Sequence, residues 1–236
     1  MCGVIGAILL EPTKQDFAMI RRVFRESKIR GMHATGISFL PKWSSGIETI
    51  KEAIPADQFV EKHMHDDNLG DMVNSDGNLY LIGHCRYSTS DLEFNQPMVG
   101  TGKSIVHNGV ITQELPENWK EKYGYDCITK NDSELVLQSN DPMREFPNMS
   151  MSVVELYAER KMRLYRNGKR PLYLTNLLNG SIITSTADIA ERAGLNFPTM
   201  EVPMNVYVTF DSALTMSLHR LEIPGAVDYQ HENFNY

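Results

Sequence analysis

Residues 1–10, MCGVIGAILL, set a cysteine at position 2 directly ahead of a run of small and branched apolar residues that stops at Glu11. A short continuous apolar run of this composition suits a strand buried on both faces, and a strand that begins at residue 3 carries Cys2 at its head. No basic stretch precedes the run, as one would in a secretory signal, and it falls well short of the ~20 apolar residues that cross a bilayer. What this first strand pairs with decides the fold.

Downstream, Phe17, Ile20, Val23 and Phe24 recur at helical spacing and predict a helix over about 14–29, with Gly31 as its stop. GISFLP (36–41) and GIETIKE (46–52) read as a strand pair around Ser44, Ser45 and Gly46, followed by a helix over the Pro55 to Met64 region. NLYLIGHCR (78–86) and KSIVHNG (103–109) are short strands with polar residues at their ends. NDSELVLQ (131–138) reads as a helix start with Asp132 and Ser133 as capping candidates. RLYRNGKRPLYL (163–174) alternates around Asn167-Gly168 as a hairpin would. SIITSTADIAERAGL (181–195) predicts a strand running into a helix with Ser185 or Thr186 as N-cap and Gly194 as C-cap. Two strands, near MNVYVTF (204–210) and ALTMSLHRLEI (213–223), close the pattern, and a polar tail from about residue 225 is expected to be loosely held. Strands grouped with helices in this order favour an α+β layered fold over repeating βαβ units.

At 236 residues with no linker or internal repeat, one domain spanning 1–236 is expected. A hydrophobic fraction of 42% with 22% charged residues belongs to a folding globular chain. The net charge of -7 gives no general attraction to phosphate backbones or anionic lipid, so neither nucleic acid nor a membrane is an expected partner, and a cytoplasmic location is expected. Cys2, Cys85 and Cys127 are odd in number and form no CxxC pair, which argues against a disulfide framework and against a zinc ribbon. A metal site built from Cys2, Cys85, His33, His84 and His107 lacks ligand spacing, and no metal is expected. His84 and His107 read as strand-end residues satisfied by hydrogen bonds, and Cys127 as structural.

Removal of Met1 would leave Cys2 with a thiol and a free α-amine on one residue, nucleophile and general base together, since an α-amine titrates near ~8. Taken alone, Cys2 reads more readily as a small buried hydrophobe. Acyl transfer also needs donors for an oxyanion, and Asn108 and Gly109, ending an apolar strand, offer a side-chain amide and an unobstructed backbone N–H. Alone they read as an ordinary turn. Arg86 suits a carboxylate and Asp132 an ammonium, although singly they read as a surface ion-pair residue and a helix cap.

Together, MCGVIGAI (1–8), RGMHATG (30–36), GHCRYSTS (83–90), HNGVIT (107–112) and NDSE (131–134) resemble, in order, the class II glutamine amidotransferase domain, an N-terminal-nucleophile (Ntn) hydrolase. RNGKRPLYL and TSTADIAERAGL extend the resemblance to about residue 210. It implies a four-layer αββα sandwich of two antiparallel sheets. It implies Cys2 as nucleophile, its α-amine as base, and Asn108 and Gly109 as the oxyanion hole. Arg86 would bind the glutamine α-carboxylate, Asp132 its α-ammonium, Thr89 would sit on the loop that closes over substrate, and Arg30 would organise the nucleophile end. Two departures stand out: His33 where the family commonly has Asp, and Cys85 where it commonly has Thr.

The expected activity is release of ammonia and glutamate from glutamine without a cofactor. No GxxxxGK[ST] or GxGxxG motif is present, and about 25 residues follow the last recognisable segment, so a separate synthase partner is expected to take the ammonia. Two other readings stay open: an amidohydrolase of the same fold that cleaves a γ-glutamyl amide without passing ammonia on, and a catalytically silent binding module. An oligomer is compatible with any of them.

Overall fold

The computed structural model describes residues 2–88 and 95–223; Thr89 and the expected loose tail lie outside them. Thirteen strands are present among these residues: β1 Gly3–Leu9, β2 Ala34–Phe39, β3 Glu48–Glu52, β4 Leu79–Arg86, β5 Met98–Gly100, β6 Lys103–Val110, β7 Ser150–Tyr157, β8 Lys161–Arg166, β9 Tyr173–Leu177, β10 Gly180–Thr184, β11 Thr199–Glu201, β12 Val206–Phe210 and β13 Met216–Arg220. The α-helices are α1 Lys14–Ser27, α2 Ala56–His63, α3 Asp66–Leu69, α4 Trp119–Tyr123, α5 Ser133–Gln138, α6 Pro142–Glu145 and α7 Ala187–Arg192.

The strands form two antiparallel sheets, one of seven in the order β11-β9-β10-β1-β4-β2-β3 and one of six in the order β13-β12-β8-β7-β6-β5. β1 is central in the first, flanked by β10 and β4, and all seven of its residues are buried, as its unbroken apolar run requires. Three apolar clusters define four layers. Ile5, Ala7 and Leu9 of β1 face outward onto Phe17, Ile20, Val23 and Phe24 of α1, together with α2 and α7. Val4 and Ile8 face inward and meet Val106, Val154, Leu156 and Leu164 of the second sheet. On the far side Ile105, Met151, Val153 and Tyr165 pack against Trp119, Leu135, Val136 and Met143 from α4, α5 and α6. This is the four-layer αββα sandwich of two antiparallel sheets that the sequence resemblance implies.

Local chemistry accounts for the elements near the thiol. α1 starts where Thr13 and Asp16 form a reciprocal capping box. β2 and β3 pair antiparallel as the turn residues predicted. Asp132 is the N-cap of α5 but its side chain makes no cap hydrogen bond, and Thr186 is the N-cap of α7, also without one. The C-cap of α7 is Ala193, not Gly194 as expected, and Gly194 follows at φ +79.

One sequence expectation is corrected. RNGKRPLYL is no hairpin: β8 pairs with β7 and β12 in the second sheet, while β9 pairs with β10 and β11 in the first. Asn167-Gly168 lies on a crossing between sheets, and Asn167 turns its amide onto the backbone of Met151 and Met149 instead of closing a two-residue turn.

Candidate active site

Side chains alternate along a strand, so register fixes which of them meet. In the β1–β4 pair Gly3 faces Cys85 and Val4 faces His84, which sets Cys2 beside Arg86 at the same end of the sheet. Tyr80 and Ile82 of β4 pack in the inter-sheet core, so His84 and Arg86 continue that inward face. From the other sheet, Val106 faces inward, and with it Ser104 and Asn108. A 2.8 Å contact between the Ser104 and Ser38 hydroxyls ties the sheets together on this face. Asn108 reaches the Cys2 end of β1: the Cys2 backbone nitrogen donates to Asn108 Oδ1 at 3.1 Å. Asn108 Nδ2 is buried and has no hydrogen-bond partner among the described residues.

Gly109 has φ +156, and a Cβ there would lie 1.8 Å from the Ser150 carbonyl oxygen and 2.6 Å from His107 Nε2. Only glycine fits. The Cys2 carbonyl oxygen accepts from Ser185 Oγ at 3.4 Å, and the same hydroxyl accepts from Val4 N at 2.6 Å, so β10's end anchors the start of β1. Cys2 Sγ sits 3.9 Å from the Tyr87 carbonyl oxygen. Burial pushes the Cys2 thiol above its ordinary value, against the opposing pull of the Tyr87 backbone and of the Arg86 and Arg30 charges.

Cys2, Arg86, Gly109 and Asp132 line one cavity of about 340 Å³, together with Trp119 and Lys130. Asp132 Oδ2 accepts from the backbone nitrogens of Ile111 at 2.6 Å and Thr112 at 3.3 Å, which pins the chain just after Gly109. Arg86 donates from Nη1 to Asn95 Oδ1 at 2.8 Å. Arg30 ends the short 3₁₀ turn after α1, and its guanidinium lies within the electrostatic reach of Asp188, Arg170 and Cys2. Cys2, Asn108, Gly109, Arg86 and Asp132 therefore converge, with Arg30 nearby; Thr89 falls outside the described residues.

The two departures have clear places. His33 Nδ1 accepts from the Ser88 backbone N–H at 2.9 Å, and its ring lies 5.1 Å from that of Tyr87, so it pins the chain leaving β4. Cys85 is buried on the opposite face, against the Phe24 carbonyl, and burial raises its thiol pKa strongly. Cys127 is half-buried, and its thiol is pushed up to about 12 by burial and by Glu134 and Asp126.

The histidines divide. His107 is satisfied as expected, with Nδ1 at 2.9 Å from Ser133 Oγ. Its backbone nitrogen donates to Gln96 Oε1 at 2.6 Å and its carbonyl accepts from Gln96 Nε2 at 3.1 Å. His84 corrects the expectation: it is buried, and neither ring nitrogen has a hydrogen-bond partner among the described residues. Burial, aided by the charges of His107 and Arg86, lowers its pKa to about 3 against a smaller opposing pull from the His107 backbone. Gln96 and Tyr87 were not singled out by sequence, and Ser133 was singled out only as a capping candidate. Gln96 acts as a side-chain substitute for a strand partner of His107, a role with no sequence signature of its own.

Among the described residues no group of three His, Cys, Asp or Glu side chains is placed to hold a metal, and no helix is long and apolar enough to cross a membrane.

No protein-family model and no curated protein matches the sequence. Solved structures do match. The allosteric regulatory enzyme of purine biosynthesis aligns over 94% of this chain at a TM-score of 0.69 and 18% identity. Glutamine phosphoribosylpyrophosphate amidotransferase from B. subtilis aligns over 93% at 0.65 and 18%, and a glutamine aminotransferase class-II domain protein from Silicibacter pomeroyi over 93% at 0.53 and 10%. The chain has the class II glutamine amidotransferase fold. It spans about half the length of the first two proteins, 50% and 49%, and 99% of the third. In this amidotransferase fold the Cys2 end of β1 and the Asn108-Gly109 end of β6 lie together, as the hydrogen bond between them requires.

Proposed function

We propose that the chain hydrolyses the side-chain amide of glutamine, with Cys2 as nucleophile once Met1 has been removed. The observation that carries the reading is the 3.1 Å hydrogen bond from Cys2 N to Asn108 Oδ1 with Asn108 Nδ2 left over. As an α-amine, that nitrogen can still donate to Asn108 and turn its lone pair to the thiol. The amine takes the thiol proton, Sγ bonds to the amide carbon, and the oxyanion is held by Asn108 Nδ2–H and Gly109 N–H. The proton moves on to the leaving nitrogen and ammonia departs, leaving a γ-glutamyl thioester. Water then hydrolyses the thioester through a second oxyanion. Arg86 and Asp132 hold the α-carboxylate and α-ammonium of the substrate, and Arg30 steadies the nucleophile end.

The ammonia is delivered to an acceptor-modifying partner. Support for this comes from the name of one enzyme with this fold, glutamine phosphoribosylpyrophosphate amidotransferase, which is that of an amide-nitrogen transferase. A hydrolase that passes no ammonia on would share every group named so far.

The test is Cys2→Ala beside the wild-type chain, with intact mass checking loss of Met1. Cys2→Ala keeps its thermal unfolding transition and releases no glutamate from glutamine. Turnover by that variant, or a mature chain that retains Met1 and still turns over, would sink the assignment.

A further inference from the structure

His84 is a buried polar group that the scheme above leaves unused. It stands on β4 one rung below Arg86, facing Val4 across the strand pair, and it lines the same cavity as Cys2. Neither ring nitrogen makes a hydrogen bond of full geometry among the described residues, and the His107 backbone acts on the ring only weakly. Across the inter-sheet space, Ser152 is the register partner of Asn108 on β7, is fully buried, and its Oγ is likewise unpartnered. Val154 and Leu156 of β7 pack in the inter-sheet core, so Ser152 shares that inward face with Asn108 and His84.

An unsatisfied buried polar atom costs about 1–3 kcal/mol, and several on one face beside a nucleophile call for a polar occupant. A neutral imidazole offers one donor and one acceptor, and a serine hydroxyl offers both. A buried water takes 2–4 such partners. The reaction supplies the need. In the second half-reaction the γ-glutamyl group would lie in the cavity with its head at Arg86 and Asp132, and a water held at His84 would be at hand as soon as ammonia leaves.

We propose that His84, with Ser152, seats the water that hydrolyses the γ-glutamyl thioester on Cys2. The inference rests on the glutamine-hydrolysing reading. The water oxygen bonds to the thioester carbon and the C–S bond breaks. One water proton passes to the Cys2 α-amine and from there to the departing sulfur, and glutamate leaves. His84 accepts or donates one hydrogen bond throughout and takes no proton.

The experiment compares wild type, His84→Phe, His84→Gln and Ser152→Ala as full-length chains shown by intact mass to lack Met1. Each is mixed with L-glutamine, quenched, and assayed for the ammonia burst, for a glutamyl adduct on Cys2 by mass spectrometry, and for partition between glutamate and γ-glutamyl hydroxamate in added hydroxylamine. His84→Phe is expected to keep the ammonia burst, accumulate the adduct and release glutamate roughly 100-fold more slowly, the size of a lost positioning effect. Hydroxylamine restores its turnover, and His84→Gln recovers part of the hydrolysis. Acylation and hydrolysis falling together, or hydrolysis unchanged, overturns the proposal. Should both His84 variants unfold, the partition ratio of Ser152→Ala decides: a rise toward hydroxamate supports the water seat, and an unchanged ratio overturns it. A wild-type chain that forms no adduct and no ammonia brings down the glutamine reading itself and this proposal with it, whereas acylation of wild type with unaltered partition in the variants sinks only the latter.

Discussion

The backbone nitrogen of Cys2 and the side-chain oxygen of Asn108 lie 3.1 Å apart although 106 residues separate them in sequence. That one contact joins the leading strand of the first sheet to the end of β6 in the second. It orients the Asn108 amide so that its oxygen is occupied, and its nitrogen, which has no partner among the described residues, meets the developing oxyanion in the proposed reaction. Replacing Asn108 by Ala removes an oxyanion donor and the anchor of the nucleophile nitrogen together. Steady-state glutaminase assays are expected to show kcat lowered roughly 100- to 1000-fold, the range for loss of one such donor, with KM little changed. A variant within a few-fold of wild type would mean that the oxyanion is held elsewhere.

Gly109 is expected to tolerate no side chain. With φ +156 and a Cβ position 1.8 Å from the Ser150 carbonyl oxygen, Gly109→Ala forces β6 and β7 apart where Asn108 is presented. The cost should reach about 1–3 kcal/mol in chemical denaturation, accompanied by loss of turnover. Gly31→Ala makes a second comparison, because a Cβ there would stand 2.2 Å from the Arg86 carbonyl carbon and 2.4 Å from Tyr87 N. It displaces the segment that carries the substrate clamp while leaving Gly109 alone, so it should raise KM for glutamine as well as lower stability.

Much of this arrangement was legible in the sequence because its signals are local. The apolar run of β1, the helical spacing of α1, the turn between β2 and β3 and the strand ends at Arg86 and Asn108 each rest on neighbours within a few residues. β7 was not legible. Its run SMSVVELY is interrupted by Glu155, which is fully buried. The carboxylate is tolerated because Arg163 Nε lies 2.5 Å away and the hydroxyls of Tyr157 and Tyr165 donate to it. Two of those partners belong to the neighbouring strand, so the compensation is invisible until β7 and β8 pair. The Asn-Gly signal of residues 167–168 failed for a related reason: turn chemistry says that the chain bends there, and cannot say that the next strand joins the other sheet. The site residues were read by type, and only the register of β1 with β4 and of β6 with β7 brings them together.

His33 offers a test of how the chain leaving β4 is held. Its Nδ1 accepts from Ser88 N at 2.9 Å, and its ring packs on Tyr87, whose carbonyl faces the Cys2 thiol. His33→Phe keeps a ring against Tyr87 and removes the acceptor. A net hydrogen bond of about 0.5–1.5 kcal/mol corresponds to a loss of roughly 2- to 10-fold in kcat/KM. The loss should appear mainly in KM if the pinned segment shapes the substrate site. A larger loss confined to kcat would instead tie His33 to the placement of the thiol.

Stability should fall on mild acidification because of the two buried imidazoles. His84 has its pKa lowered to about 3 from an ordinary 6.5, and burial lowers that of His107 as well. The unfolded chain takes up a proton on each as pH drops below 6.5, and the folded chain does not. Protons bound in the unfolded state exceed those bound in the folded state, so unfolding becomes easier as pH falls, and the stability is whole only above 6.5. For His84 the slope is about 1.4 kcal/mol per pH unit, starting below 6.5 and ending where the folded imidazole finally protonates. The upper part of that window, above the range in which Glu52, Asp57 and Asp66 titrate with their lowered pKa values, isolates the histidines. Urea unfolding of wild type between pH 7 and pH 5 should show this slope, and His84→Gln should flatten it by one proton. A variant with the wild-type slope would mean that His84 takes up a proton in the folded protein, and the neutral imidazole required to seat a water would then be absent below neutral pH.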